Sequence, residues 1–108
     1  MVNTLKTSKD FLEVISKGQK YTQSGLIFYS LKNNSEEIKL GISIKKKTGN
    51  AVYRNKLKRQ LKNIIILNLE QLIGLDLVIV SYEKRGKPFK HQELILVFDK
   101  FFKKVKSF

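Results

Sequence analysis

The sequence has 108 residues, 42% of them hydrophobic, which suits one domain (1–108) with one core and is too apolar for a disordered polycation. Its 22 Lys and Arg against 9 Asp and Glu leave a net charge of +13. Such an excess repels itself in a compact fold and calls for a polyanion, nucleic acid first and an anionic membrane surface second. Cysteine is absent, which excludes disulfides and thiolate metal sites.

Apolar runs such as Ile64–Leu67 fall far short of the roughly 20 residues a membrane-spanning helix needs. The stretch Met1–Asp10 is polar and mixed in charge, with no apolar signal region. The expectation is a soluble cytoplasmic protein with no membrane partner.

In chain order, Ser8 is placed to cap a first helix carrying Phe11, Leu12, Val14 and Ile15, with Asp10 in its first turn and Gly18 at its end. Leu26 to Leu31 reads as an apolar and aromatic strand, Asn33-Asn34-Ser35 as a turn, and Ile38 to Ile44 as an alternating strand. Leu57, Leu61, Ile64, Ile65, Asn68 and Leu72 recur at helical spacing, so a helix is predicted from Ala51 to Ile73 with Gly74 as its stop. Leu75 to Tyr82 is a near-continuous apolar strand, the kind buried on both faces of a sheet. After a polar loop holding Pro88, a last helix presents Leu94, Ile95, Phe98, Phe101, Phe102 and Val105. The order is helix, two or three strands, helix, strand, helix: a mixed α+β sandwich without repeat or linker.

Catalytic constellations are missing from the pattern. His91 is the only histidine and adjoins a predicted helix start, where a surface or capping role is expected. The carboxylates are scattered singly except Glu36-Glu37, and no metal-binding or nucleophile motif stands out. An autonomous nuclease is disfavoured.

The informative segment is Lys45 to Lys62. On a helical wheel Asn55, Lys58, Arg59 and Lys62 lie side by side, next to the apolar stripe that begins at Leu57. Arg54, Lys56, Lys58 and Arg59 crowd the opening turns, and no acidic residue occurs between Glu37 and Glu70. Each exposed, unpaired cation there costs about 0.3–1 kcal/mol against the helix macrodipole, so stability alone does not account for the pattern. Thr48-Gly49-Asn50 precedes the helix, with Asn50 as a natural cap. The free N–H groups of that helix start, ringed by Lys45, Lys46, Lys47 and Arg54, make an anion site suited to phosphate. An apolar side destined for a sheet argues against DNA major-groove entry. Phe11, Phe28 and Tyr29 are candidate platforms for single-stranded RNA, although for Phe11 and Phe28, each taken alone, core packing is the favoured reading.

The run GISIKKKTGNAVYRNKLKRQLKN resembles the signature of the bacterial ribonuclease P protein, approximately K-x-G-N-A-V-x-R-N-R-x-K-R. Gly49-Asn50-Ala51-Val52, Arg54-Asn55 and Lys58-Arg59 match in spacing. The similarity extends to Leu5-Lys6, Asp10-Phe11, Gly18, Phe28-Tyr29, Leu40 to Ser43 and Asp76 to Val80. It implies an αβββαβα two-layer sandwich with a left-handed βαβ crossover, a handedness that pattern alone does not reveal. It also implies the protein subunit of a ribonucleoprotein endonuclease that matures tRNA 5′ ends. The catalytic RNA would hold the magnesium ions, and the protein would bind that RNA and the precursor tRNA leader, with no cofactor of its own and no DNA partner.

Carried over by position, Lys46, Lys47, Gly49, Asn50, Arg54, Asn55, Lys58, Arg59 and Lys62 would contact the ribozyme RNA. Phe11, Ile15, Ile27 and Tyr29 would line the leader cleft. Lys56 and Lys62 stand where the family often has arginine, which keeps charge and loses the bidentate fork. Ile15 replaces a common aromatic, and Lys45 a small residue. The alternative is a structural RNA-binding protein of ribosomal or RNA-chaperone type.

Overall fold

The computed structural model describes residues 2–5, 7–84 and 88–105, and the side chains of all of these except 2 and 3. Its elements are β1 (Val2–Thr4), α1 (Ser8–Lys17), β2 (Gln19–Gln23), β3 (Leu26–Lys32), β4 (Ile38–Ile44), α2 (Ala51–Leu67), β5 (Leu75–Ser81) and α3 (His91–Val105). Short 3-10 turns at Lys46–Thr48 and Leu69–Gln71 flank α2. The strands form one sheet in the order β1-β4-β5-β3-β2. β5 sits at its centre, antiparallel to β3 and parallel to β4, so α2 is the crossover joining two parallel neighbours.

Alternation along the strands separates two cores. Leu26 and Phe28 of β3, Ile38 and Leu40 of β4, and Leu77 and Ile79 of β5 face α2 and α3. There they meet Leu57, Leu61, Ile64 and Ile65 of α2 and Leu94, Phe98, Phe101 and Phe102 of α3. Phe28 stacks on Phe101 at 4.5 Å and meets Phe98 edge-on at 5.2 Å. Burying each such ring stabilises the fold by about 1.5–3 kcal/mol. On the opposite face, Leu5, Val14, Val78 and Val80 form a smaller cluster beneath α1. It is bordered by the partly buried Phe11, Ile15, Ile27, Tyr29, Leu31 and Tyr82.

Four local expectations change. A short strand, β1, precedes the first helix and pairs parallel to β4, Val2 opposite Ile38 and Thr4 opposite Leu40. Three polar-leaning residues carry no strand pattern, so it is the partner that defines this strand. The α1 cap is Thr7 rather than Ser8, its Oγ1 accepting from Asp10 N–H at 3.1 Å. α2 ends at Leu67 rather than Ile73, because Asn68 turns its Nδ2 onto the Ile64 carbonyl at 2.8 Å and the chain tightens into a 3-10 turn. Leu72 is buried after that turn, which kept the apolar period running past the true helix end. Finally, Ile95 is 39% exposed while Val97 is buried in its place. Phe28 is wholly buried, in keeping with the core packing favoured for it.

Candidate nucleic-acid interface

The end of β4 leads straight into the basic turn. Lys45 N–H donates to Ser81 O at 3.0 Å, which ties this turn to the last residue of β5. Thr48 is buried and its hydroxyl donates to Lys45 O at 2.7 Å, folding the turn back while the lysines at 45, 46 and 47 stay exposed. Asn50 caps α2, its Oδ1 accepting from Tyr53 N–H at 2.9 Å, and Asn50 O accepts from Arg54 N–H at 2.9 Å. The N–H groups of Ala51 and Val52 have no intrahelical partner, as at every helix start. The first turn of α2 holds no acidic residue. The result is a helix terminus with positive partial charge, free donors and surrounding ammonium groups, which suits a phosphate.

Two glycines make room for aromatic rings at this surface. A Cβ at Gly49 would overlap the Tyr53 ring, and one at Gly41 would lie 2.5 Å from Phe11 Cζ. The Phe11 ring therefore rests directly on the backbone of β4.

Along α2, Asn55, Lys58, Arg59 and Lys62 are all exposed and, with Asn63 and Ile66, line a shallow depression of about 390 Å³. A second cavity of about 380 Å³ opens beside it, between Phe11, Gly41 and Leu5 on one side and Lys58, Lys62 and Ile66 on the other. The structure thus joins the two groups expected from the sequence: the basic row of α2 and the α1 aromatic share one cavity. Ile15, Ile27 and Tyr29 continue from Phe11 across the α1 face of the sheet. Lys46, Lys47, Gly49 and Asn50 lie at the start of α2 and line neither depression.

Arg54 differs from its neighbours. It is half-buried, and its Nε is enclosed without a hydrogen-bond partner. Leaving such a donor unmet costs about 1–3 kcal/mol.

Sequence reasoning missed Asn63, Ile66 and Tyr82. The first two follow Arg59 and Lys62 by one helical turn, a spacing that could have found them. Tyr82 lies just past β5, joins the α1-face cluster and has its phenol held above the ordinary value, first by burial, then by the charge of Glu83 and a hydrogen bond to it. Among the described residues no helix is long and apolar enough to cross a membrane.

Comparison with known proteins agrees with this geometry. The family model described as Ribonuclease P matches residues 2–106. A ribonuclease P protein component of Clostridium botulinum is 35% identical over 98 residues, covering 88% of this chain and 88% of that protein. One from Clostridioides difficile is 37% identical over 79 residues, covering 71% of this chain and 69% of that protein. Among solved structures, the Staphylococcus aureus RNase P protein superposes with a TM-score of 0.83 at 25% identity, covering 95% of this chain and 94% of that one. The Thermotoga maritima RNase P protein gives 0.81 at 25% identity, covering 94% of this chain and 96% of that one. With a basic helix start, an exposed cationic row and an adjoining aromatic face in a fold shared over nearly the whole chain, this protein belongs to the ribonuclease P protein family.

Proposed function

We propose that this member of an endoribonuclease family acts by binding, not by bond breaking. The turn at Lys46–Thr48 and the α2 row of Arg54, Asn55, Lys58, Arg59 and Lys62 hold ribonuclease P RNA. The face formed by Phe11, Ile15, Ile27 and Tyr29 takes the single-stranded 5′ leader of precursor tRNA. Ammonium and guanidinium groups neutralise phosphates, and half-buried rings give unpaired bases a surface to lie on. The phosphodiester chemistry belongs to the RNA and its magnesium ions. Cations supplied by the protein screen the phosphates that those ions would otherwise have to screen alone, which lowers the magnesium demand.

The observation that carries this reading is the cavity shared by Phe11, Lys58 and Lys62. A strand leaving the α2 row at this cavity passes onto the aromatic face without crossing a neutral gap.

The test is cleavage of a precursor tRNA with a 5′ leader by bacterial ribonuclease P RNA at low magnesium, with the protein, without it, and with the protein alone. Rescue by a protein that is inert alone supports the proposal. Binding to the RNA without rescue would favour a structural RNA-binding role, and cleavage by the protein alone would overturn the assignment of chemistry to the RNA.

A further inference from the structure

We infer that Tyr53 is a positioning residue: its ring, pressed on Gly49, sets the basic turn against the start of α2 and is the reason position 49 in this chain excludes any side chain. The inference rests on the RNA-binding role proposed above and names the part that shapes the site. The signature leaves position 53 open, so the family pattern assigns Tyr53 nothing.

The geometry is specific. A Cβ added at Gly49 would overlap Tyr53 Cδ2 and lie 2.9 Å from Cγ and 3.2 Å from Cβ. Gly49 has φ 166 and ψ −178, an extended backbone open to any residue, so close approach and not dihedral freedom is what demands glycine. The crowded atoms include Tyr53 Cβ, which is fixed by the helix backbone, and Cγ, which moves only if the whole ring swings about χ1. Turning the ring about its own axis therefore does not relieve the overlap.

Tyr53 is also held from the other sides. Its N–H is bound by Asn50 Oδ1 at 2.9 Å, and its partly buried ring packs against the main core. Thr48, the last residue of the basic turn, is buried beside this contact. Gly49 is thus caught between an anchored turn and an anchored ring. Their contact fixes how Lys46 and Lys47 stand relative to the free N–H groups of α2. An added methyl at 49 can be accommodated only by moving the turn away from the helix or by swinging the Tyr53 ring off the core it packs against.

The experiment is a double-mutant cycle on the full chain, reading affinity for ribonuclease P RNA at fixed salt and, separately, thermal unfolding. Gly49→Ala is expected to weaken RNA binding by roughly tenfold, within the usual range of coupling between touching residues. The same substitution in a Tyr53→Ala background is expected to cost at most about twofold, because the overlapping ring is gone. Tyr53→Phe, which keeps the ring, is expected to restore wild-type affinity, whereas Tyr53→Ala alone weakens binding. A Gly49→Ala effect of equal size in both backgrounds would overturn the positioning role alone. So would a loss of affinity that merely tracks the fraction unfolded. A wild-type chain with no affinity for ribonuclease P RNA would overturn both this inference and the function on which it rests.

Discussion

The two faces of the sheet use aromatic residues in opposite ways. Beneath α2 and α3, Phe28, Phe98 and Phe101 are fully enclosed, with the Phe28 ring centroid 4.5 Å from that of Phe101 and 5.2 Å from that of Phe98. On the other face α1 covers only part of the sheet, and Phe11, Tyr29 and Tyr82 remain partly open. A ring surrounded on all sides has given its whole surface to the fold. A half-covered ring has surface left for a ligand, and here one of them, Phe11, shares a cavity with Lys58 and Lys62. The lesson is that aromatic content alone does not mark a binding platform; the number of helices over a face does.

Substitutions can break this contrast, and the largest effect belongs to the closed face. Phe101→Ala is expected to destabilise the protein by about 3–5 kcal/mol, the range for emptying an aromatic core site. Urea unfolding measures it, and a loss under about 1 kcal/mol would mean that the closed face is not the main source of stability.

Next comes the basic row. Arg54→Ala is expected to weaken binding to ribonuclease P RNA well beyond Lys103→Ala, and to reduce the slope of log affinity against log salt by about one phosphate contact. Titrations at several salt concentrations report both. Equal losses for the two variants would mean that bulk charge governs binding.

On the open face, Tyr29→Ala is expected to lower affinity for precursor tRNA by about 1–3 kcal/mol per lost stacking contact and to leave mature tRNA unaffected. An equal loss for mature tRNA would remove the leader from this face. The smallest effect is that of Lys103→Ala on stability, expected within about 0.5 kcal/mol since it sits on the solvent side of α3.

How far the sequence could be read depended on whether a feature was local. β4 has the bounds its alternation predicts, Asn50 caps α2 as expected, and Gly18 closes α1. In each case neighbours along the chain supply the deciding contacts. β1 exists only because β4 lies beside it, and β2 is a polar segment (QKYTQ) that gains its strand geometry by pairing with β3. No pattern within either segment says so. The end of α2 was hidden by the buried Leu72, which keeps the helical period through a turn that is no longer α-helical. In the candidate site, the α2 row was legible because helical spacing places its members together. The meeting of Phe11 with Lys58 and Lys62 was not legible, since a glycine on β4 and the path of α1 bring them to one cavity.

The hydrogen bond from Lys45 N–H to Ser81 O carries a consequence for how the molecule assembles. The basic turn is anchored to the last residue of the central strand, which is made only after the whole of α2. Such a contact closes a long loop, at an entropic cost that the whole β4–β5 pairing shares. A net charge of +13 opposes that closure, because it gathers cations at one end of the sheet. A polyanion that recognises the finished turn therefore draws the folding equilibrium toward completion, by the mass action of any ligand that prefers the native state. An RNA bound at this turn would therefore stabilise the same loop closure that gives the turn its shape.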